Sequence, residues 1–251
     1  MHTQFTVCDN NKLAFIHHLA SSDAHIMFLP GFRSDMTGSK ATAIGEHCLH
    51  NNIGFTSMDY RAHGQSDGVF SEFTIGGALS DVLHILDTII EKNVILVGSS
   101  MGGWLMLLVA LARQERVKAL VGIAAAPDFT ERLIWEQMNF EQREILENEG
   151  EIREPSSYGG ELIITRQFLT EAREHLLMDH PIAINAPIRL IQGMQDADVP
   201  WHMAIQLLEM ITSDDCHVHL IKDGDHRLSR TEDIALLIQT IDSVIELAIN
   251  A

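Results

Sequence analysis

The sequence predicts an α/β fold with a mostly parallel β-sheet that is covered by helices on both faces. Short β-branched apolar segments alternate with segments of helical periodicity along the chain. One of these strands also turns directly into a helix at a glycine-rich junction around residue 100. Strand and helix alternating at this spacing is typical of parallel sheets, whose strands are buried on both faces. At 251 residues the chain is long enough to bury one such core.

The elements are expected in a regular order, apart from one long interruption after residue 127. Apolar or alternating segments bounded by turn residues predict strands at 4–8, 13–19, 25–29, 53–58, 94–97, 117–123, 187–192 and 218–221. Residues 9–11 form a hairpin-type turn between the first two strands. Periodic apolar positions and capping residues predict helices at 39–51, 75–91, 105–112, 203–211 and 231–249.

Residues 128–186 interrupt the alternation of strands and helices. This segment has no convincing core strand and contains two helical patterns, 129–147 and 163–178. Since it is too long for an ordinary connection, we expect an insertion over one end of the sheet. The predicted domains are therefore a core of residues 1–127 and 187–251 and a helical lid of residues 128–186. A pair of surface helices without a binding role is the alternative.

Composition and charge exclude several classes of function. The chain is 46% hydrophobic and 21% charged, with a formal net charge of −18, so its field repels phosphate backbones and disfavours nucleic acid as a partner. No apolar run approaches the roughly 20 residues that span a bilayer, so we expect no stable membrane insertion. The N-terminus resembles neither a signal peptide nor a transit peptide, which predicts a cytoplasmic protein. Three cysteines without paired spacing fit a reducing compartment.

The glycine-rich junction carries the strongest functional signal. Gly98, Ser100 and Gly102 form a Gly-x-Ser-x-Gly pattern between an apolar strand and a helix. This context is the one that a nucleophile elbow requires, because the serine adopts a strained backbone and its neighbours need glycine to avoid collisions. Ser100 is therefore the predicted nucleophile.

A serine nucleophile needs a histidine base, and that histidine needs a carboxylate to orient it. Asp196 and His226 each follow a predicted strand, so both belong at the carboxyl edge of the sheet together with Ser100. The order Ser, Asp, His along the chain is that of α/β-hydrolases. Asp198 and Asp225 are alternative acids. Asp196 is preferred because it lies in the turn directly after its strand.

The oxyanion hole of such a site consists of two backbone amides. The amide of Met101 follows the nucleophile, and the amide of Phe32 lies in the loop after the predicted strand 25–29. The 14 histidines are scattered, with no third ligand near the pair His217 and His219, so we expect no metal site.

With these residues in view, the chain resembles the α/β-hydrolase superfamily. It is similar in particular to the mitochondrial-type branch of thioesterases that remove S-palmitoyl groups and also cleave acyl glucuronides. The segments that carry this resemblance are 36–41, 98–107, 155–158, 187–202 and 225–227. The resemblance implies that Ser100 is the nucleophile, Asp196 the acid and His226 the base, with oxyanion donors at Phe32 and Met101. Pro30 departs from the superfamily, where many members have histidine, but the Phe32 amide is retained.

These observations together predict a serine hydrolase that cleaves acyl thioesters or esters through an acyl-enzyme, without a metal or organic cofactor. Its substrate would be an S-acylated protein or a small molecule. The oligomeric state is left open by the sequence. Large apolar side chains are candidates for the acyl site, although core packing is an alternative for each: Phe32, Met36, Trp104, Trp135, Met138 and Trp201.

Two other functions remain open at the level of sequence. A carboxylesterase or acyl-glucuronide esterase acting on small soluble esters is one, and a basic residue near the site, such as Arg33 or Arg61, would favour a substrate with a carboxylate. A non-catalytic binding protein with a hydrolase fold is the other, and it would be indicated by an unreactive Ser100.

Overall fold

The computed structural model of the protein describes residues 1–155 and 161–250. An eight-stranded sheet forms its centre, with strand order β1-β2-β4-β3-β5-β6-β9-β10. Strands β1 and β2 run antiparallel to their neighbours, and the pairs from β4 to β10 are parallel. The main-sheet strands are Thr3–Cys8 (β1), Asn11–His18 (β2), His25–Leu29 (β3), Gly54–Met58 (β4), Val94–Ser99 (β5), Val117–Ile123 (β6), Ile188–Gly193 (β9) and Cys216–Ile221 (β10). The predicted α/β sheet is thus confirmed.

Seven α-helices accompany the sheet in the described residues. They are Ser39–His50 (α1), Ile75–Thr88 (α2), Met101–Ala112 (α3), Phe140–Glu149 (α4), Arg166–Ala172 (α5), His202–Met210 (α6) and Thr231–Asn250 (α7). The predicted helices of the core agree with these bounds to within about a residue, with two exceptions. Helix α2 ends at Thr88, one turn before the predicted end at residue 91, and α3 begins at Met101, directly after Ser100. An apolar helix can start there because the side chain of Trp104 and its neighbours are buried in the interior.

Strand β5 shows how the sequence builds a layer of helices on each face. Its side chains alternate, so Val94 and Leu96 belong to one apolar cluster, while Ile95 and Val97 belong to another. The first cluster includes residues of α2 and α3, and the second includes residues of α1 and α7. A strand with four consecutive apolar residues, Val94 to Val97, is therefore buried on both sides, as a parallel sheet requires.

The segment 128–186 differs from the prediction in its internal structure. The expected helix at 129–147 is divided into a π-helical turn, Thr130–Trp135, and α4. The division occurs because Asn139 caps α4: its side chain accepts from the amide of Gln142, and the Gln142 side chain accepts from the amide of Asn139.

The second expected helix, at 163–178, is also shorter than predicted. Residues Glu161–Thr165 form strand β8, which pairs with β7, Glu151–Pro155, in a separate two-stranded sheet. Helix α5 begins only after Thr165 and is followed by a 3₁₀ turn, Arg173–His175. The β-branched run before α5 explains the error, since such residues favour a strand. Residues 156–160, part of the expected connection and of the resemblance, lie outside the described residues.

Hydrogen bonds to carboxylates join the first and last parts of the 128–186 segment to each other and join its helix α5 to the core. The buried Asp128 carboxylate accepts from the amides of Leu177 and Met178 at 2.8–3.1 Å, so the segment's first and last parts meet. Glu171 of α5 accepts from the amides of Ile75 and Gly76 at the start of α2. A carboxylate at a helix N-terminus is stabilised by the unpaired amides and by the helix dipole. The segment is therefore anchored by charged hydrogen bonds.

Candidate active site

Ser100 lies at the junction of β5 and α3 in a backbone conformation that residues other than glycine rarely adopt. Its φ is 56° and its ψ is −120°. The strain is held by backbone hydrogen bonds: the Ser100 amide donates to the Ile123 carbonyl at 2.9 Å, and its carbonyl accepts from Gly103 and Ala126 at 2.8 and 3.1 Å. A non-glycine residue with positive φ persists only where its surroundings fix it, and such residues concentrate at functional sites.

The glycines of the junction are required by its crowding. A Cβ on Gly98 would lie 2.3 Å from the carbonyl oxygen of Gly102, and a Cβ on Gly102 would lie 2.0 Å from that of Leu29. Real Cβ atoms do not approach backbone that closely, so a side chain at either position would force β5, α3 or the end of β3 to move. The Gly-x-Ser-x-Gly pattern thus reflects the close approach of three backbone segments.

Asp196 and His226 form a hydrogen-bonded pair at the carboxyl edge of the sheet. Nδ1 of His226 lies 2.9 Å from Oδ2 of Asp196. The Asp196 side chain is fully buried, whereas the His226 side chain is 17% exposed. Because Asp196 follows β9 and His226 follows β10, two neighbouring parallel strands bring the two residues together. This is the arrangement expected for an acid that orients a base.

The Asp196 carboxylate is held in its charged form by a full set of hydrogen bonds. Oδ1 accepts from the amides of Asp198 and Val199 at 2.9 and 2.8 Å, and Oδ2 accepts from Gln192 Nε2 at 2.9 Å as well as pairing with His226. Burial alone would raise the pKa of Asp196, but the bonds to His226 and to the two amides outweigh it and hold that pKa below its ordinary value.

The two alternative acids are placed differently. Asp225 accepts from the amide of Leu228 at 2.9 Å and so shapes the loop that carries His226. Asp198 is exposed, but a carboxylate oxygen of Asp198 lies within 4.8 Å of ligand atoms of Asp196 and His226. These three residues could hold a metal ion, although His226 and Asp196 already bond to each other. The expectation of no metal or organic cofactor stays a prediction.

The described residues show no hydrogen bond between the Ser100 hydroxyl and the proposed base, His226, whose Nδ1 is engaged by Asp196. In substrate-free structures such bonds are often long and tighten only when substrate binds. The loop after β3 does approach the serine, since a Cβ on Gly31 would lie 3.3 Å from Ser100 Cβ.

Of the two amides expected to form the oxyanion hole, one follows Ser100 in the chain, and the other follows Gly31, on which a Cβ would lie 3.3 Å from Ser100 Cβ. Met101 is the first residue of α3, and Phe32 follows Gly31 in the loop between β3 and α1. Neither amide donates to a backbone carbonyl in the part of the chain that the structure describes. Both therefore remain available to an external acceptor.

The predicted acyl-site residues do not form one group. Trp135 and Met138 pack against the apolar cluster that includes Phe32, while Met36 is fully buried and Trp201 stacks on His202 with ring centroids 3.6 Å apart.

The sequence reasoning missed an aromatic cluster around the Phe32 ring. The ring of Phe32 stacks on that of Phe168, with centroids 5.3 Å apart and planes 2° apart. Its other aromatic neighbours lie 5.3–6.2 Å away: His63, Phe70, Phe73 and Phe129. These residues come from three separate loops and helices, so no sequence spacing connects them. Gln192, which donates to Asp196, was also missed, although a polar residue near the carboxyl end of a mostly apolar strand was a signal.

Two surface clefts have no part in this site. One of about 700 Å³ is lined by residues that include Glu149, Arg166 and Glu171, and one of about 460 Å³ by residues that include Cys8 and His84. Neither is lined by Ser100 or His226. The assignment of a site therefore depends on the strained serine and the buried pair, not on the size of a cleft.

Comparison with known proteins identifies the class to which this fold and site belong. The family described as the alpha/beta hydrolase fold matches residues 24–169, more than half of the chain. The chain belongs to this family, and the predicted fold class and hydrolase class are confirmed.

Individual relatives are similar over most of their length. The rat protein named "Palmitoyl-protein thioesterase ABHD10, mitochondrial" is 44% identical over 91% of this chain and 77% of its own length. The human protein of that name is 43% identical over 88% of this chain and 72% of its own length. The structure of alpha/beta hydrolase domain-containing protein 10 from mouse superposes with a TM-score of 0.91, at 40% identity, over 98% of this chain and 99% of that chain. The crystal structure of a putative hydrolase from Agrobacterium vitis S4 superposes with a TM-score of 0.92, at 35% identity, over 97% of this chain and 98% of that chain.

The same comparisons test the resemblance and the expected location. The resemblance to this branch of thioesterases is confirmed. The expectation of a cytoplasmic protein is wrong, because the relatives at 41–44% identity are named as mitochondrial proteins. An N-terminus without the features of a transit peptide was therefore a poor guide. Among the described residues, no helix is both long and apolar enough to cross a membrane.

We expect Gly102→Ala to destabilise the protein by at least about 2 kcal/mol, because its Cβ would overlap the Leu29 carbonyl in a packed interior. Gly38→Ala is the matched control: its Cβ would meet no atom closer than 3.6 Å, and the expected loss is below about 1 kcal/mol. Denaturant unfolding monitored by circular dichroism measures both. Equal stabilities for the two variants would contradict the crowding argument.

The lowered pKa of Asp196 predicts a pH-dependent contribution to stability. The carboxylate has an ordinary pKa of 3.8 and a lower one in the folded protein, so its contribution is present above pH 3.8 and is lost as the pH falls through the folded value. Asp196→Asn should therefore lower the free energy of unfolding at neutral pH by about 1–3 kcal/mol, and this difference should shrink in acid. Thermal or urea unfolding of both proteins between about pH 3 and pH 7 tests this.

An exposed carboxylate outside the site provides the control for that series. Asp214→Asn should change the free energy of unfolding by less than about 0.5 kcal/mol at neutral pH. An Asp196→Asn effect that stays constant down to the lowest pH would show that the charge of Asp196 is not what stabilises the fold.

Proposed function

We propose that the protein is a serine hydrolase that cleaves acyl thioesters or esters through a covalent acyl-enzyme at Ser100. The observation that carries the proposal is the buried Asp196–His226 pair, located at the same sheet edge as a serine with strained backbone. A serine hydroxyl is a weak nucleophile unless a base removes its proton, and an oriented imidazole supplies that base. The fold alone does not fix the reaction, so the argument depends on these three side chains.

In this mechanism the three side chains act in sequence. His226 Nε2 takes the proton of Ser100 as the hydroxyl attacks the acyl carbonyl, and returns it to the leaving thiol or alcohol. Asp196 keeps the proton of the imidazole on Nδ1 and stabilises the imidazolium. It can do so because the lowered pKa of Asp196 keeps its carboxylate charged. Water activated by the same histidine then hydrolyses the acyl-enzyme.

The negative charge that develops on the carbonyl oxygen would be received by the amides of Phe32 and Met101. Met101 is the first residue of a helix, so its amide is unpaired and lies at the positive end of the helix dipole. Two preorganised donors of this kind are worth several kcal/mol of transition-state stabilisation, because removing one typically costs a factor of about 10²–10³.

We also propose that residues 128–186 form a lid over the core of residues 1–127 and 187–251, and that the lid supplies part of the acyl site. Phe129 and Phe168, both from this segment, contact the ring of Phe32 next to the serine loop. Trp135 and Met138 pack against the large apolar core that includes α2 and α3, and the guanidinium groups of Arg143 and Arg173 also lie over the Trp135 ring. Trp201 and Met36 have other neighbours. An acyl chain would replace some of these aromatic contacts with its own apolar surface.

The preferred substrate class follows from the relatives and from the apolar cluster. The curated relatives are named palmitoyl-protein thioesterases, which supports an S-acylated protein or another acyl thioester as substrate. A carboxylesterase or acyl-glucuronide esterase is the alternative. Arg61 gives it little support, since its guanidinium is bound to the buried Asp81 at 2.6 Å and to Asp9 at 3.3 Å. Arg33 is exposed and could still meet a carboxylate.

A non-catalytic binding protein is the alternative from another class. It would not need a buried carboxylate with every acceptor position filled and a histidine bonded to it.

Ser100→Ala should lower the turnover of acyl substrates by at least about 10⁴-fold, because the acyl-enzyme can no longer form. Ser99→Ala is the matched control: it removes the hydroxyl of the neighbouring buried residue and should retain activity within a few-fold. Hydrolysis of p-nitrophenyl esters and of S-acyl peptide thioesters, both of graded chain length, measures the loss. The chain-length optimum separates a fatty-acyl thioesterase from a small-ester esterase.

Retention of activity by Ser100→Ala would contradict the proposed nucleophile. Absence of turnover by the wild type on every acyl substrate, together with no labelling by a fluorophosphonate, would favour the binding protein.

A further inference from the structure

We propose that His63, supported by Tyr60, is a positioning residue that holds the loop of residues 30–34 so that the Phe32 amide is presented to the oxyanion. We call residues 30–34 the oxyanion loop. The proposal rests on the proposed function, because it concerns the oxyanion hole of that reaction. Neither His63 nor Tyr60 is assigned a contact with substrate.

The oxyanion loop has a conformation that its own sequence does not favour. The Ser34 amide donates to the Gly31 carbonyl at 3.1 Å, which closes a tight turn with Phe32 and Arg33 at its centre. Arg33, the third residue, has a φ of 60°. That position of a turn usually takes glycine or asparagine, so an arginine there holds a strained backbone. The conformation therefore needs support from elsewhere.

His63 supplies this support at the strained residue. Its Nε2 lies 3.1 Å from the Arg33 amide, and its Nδ1 lies 3.2 Å from the Arg61 carbonyl. A backbone amide can only donate and a carbonyl can only accept, so the ring must be neutral with its proton on Nδ1. His63 is buried at 5% exposure, and this burial lowers its pKa, which keeps Nε2 an acceptor at neutral pH.

Tyr60 supports the other end of the oxyanion loop. Its hydroxyl donates to the Pro30 carbonyl at 2.9 Å, and its side chain is fully buried. The ring of Tyr60 also packs edge-on against that of His63, with centroids 5.7 Å apart. The turn after β4 thus holds the loop at the residues on either side of Gly31 and Phe32.

The turn after β4 is itself rigidly held. The Arg61 guanidinium is bound to Asp81 of α2, whose side chain is fully buried, and the Asp81 carboxylate also accepts from the Arg61 amide at 2.8 Å. Asp59 accepts from the Met36 amide at 2.7 Å, just beyond the oxyanion loop. Helix α2, the turn and the loop therefore form a continuous chain of hydrogen bonds.

The position of the oxyanion loop sets the distance between the Phe32 amide and the developing oxyanion, and therefore the rate. An oxyanion donor must lie about 2.7–3.1 Å from the developing charge, and a displacement of about 1 Å can cost about 10²-fold in rate. Loss of the His63 acceptor would let the Arg33 amide seek another partner and the turn relax, which moves the Phe32 amide. Substrate binding in the ground state would change little, because the carbonyl needs the amide most in the transition state.

The experiment compares His63→Leu, His63→Gln and Tyr60→Phe with the wild type. Leucine removes the acceptor, whereas glutamine can restore one near Nε2. We expect kcat to fall about 10- to 100-fold in His63→Leu and about 10-fold in Tyr60→Phe, with KM within about three-fold, and partial recovery in His63→Gln. His84→Gln is the control: His84 of α2 bonds to Thr6 of β1 at 3.0 Å, outside the oxyanion loop and its supports, so the substitution should leave kcat unchanged.

A transition-state analogue isolates the oxyanion hole from general damage to the fold. Ser100 Oγ adds to the carbonyl carbon of an alkyl trifluoromethyl ketone while His226 takes the hydroxyl proton, and the resulting hemiketal places its oxyanion in the hole. The affinity for this ketone should fall by the same factor as kcat. A matched thioether, which cannot form an oxyanion, should bind as it does to the wild type. If His63→Leu does not fold, Tyr60→Phe carries the test, because it loses only one hydroxyl. Its melting temperature shows whether it is folded.

Folded variants with wild-type kcat and wild-type affinity for the trifluoromethyl ketone would overturn the proposal while leaving the serine-hydrolase mechanism intact. An equal loss of affinity for the ketone and the thioether would also overturn it, since the defect would then lie in the binding site as a whole. A wild-type protein that the ketone does not inhibit would instead contradict the proposed function.

Discussion

The constraint on which the structure depends is the close approach of β5, α3 and the end of β3 around Ser100. A backbone with φ of 56° at Ser100 is possible because Gly98 and Gly102 leave no side chain in the contact, and because the Ile123 carbonyl and the Ala126 amide hold the residue from β6 and the turn after it. This crowding brings the loop after β3 next to the serine. The nucleophile and the oxyanion loop are thus positioned by the same contact.

Around this junction, the buried Asp196 carboxylate and the buried His63 imidazole each have a hydrogen-bond partner at both of their polar atoms. The Asp196 carboxylate accepts from Gln192, from two amides and from His226, so a buried charge persists at the sheet edge. His63 is likewise buried with a partner on each nitrogen. Hydrogen bonds thus fix both the charged Asp196 and the neutral His63. In the proposed site, Asp196 would hold His226 and His63 would hold the oxyanion loop in place before substrate binds.

The fold and the three proposed catalytic residues could be predicted because their signals are local. An apolar strand, a glycine pattern and a polar residue directly after a strand each occupy a few consecutive positions, and the parallel sheet then brings the strand ends together. The 128–186 segment was predicted less well, since the Asn139 cap and the β8 strand depend on hydrogen bonds and pairing beyond helical periodicity. The aromatic cluster at Phe32 and the support from His63 join distant loops, which no spacing encodes.

The central claim, that Ser100 carries the acyl group, is tested most directly by trapping that intermediate. The protein would be mixed with a slowly hydrolysed acyl thioester, quenched in acid and analysed by intact-mass and peptide mass spectrometry, with Ser100→Ala in parallel. The account predicts a mass increase equal to the acyl group on the peptide containing Ser100, and none in the variant. Turnover without any acylated peptide, or acylation of another residue that persists in Ser100→Ala, would contradict it.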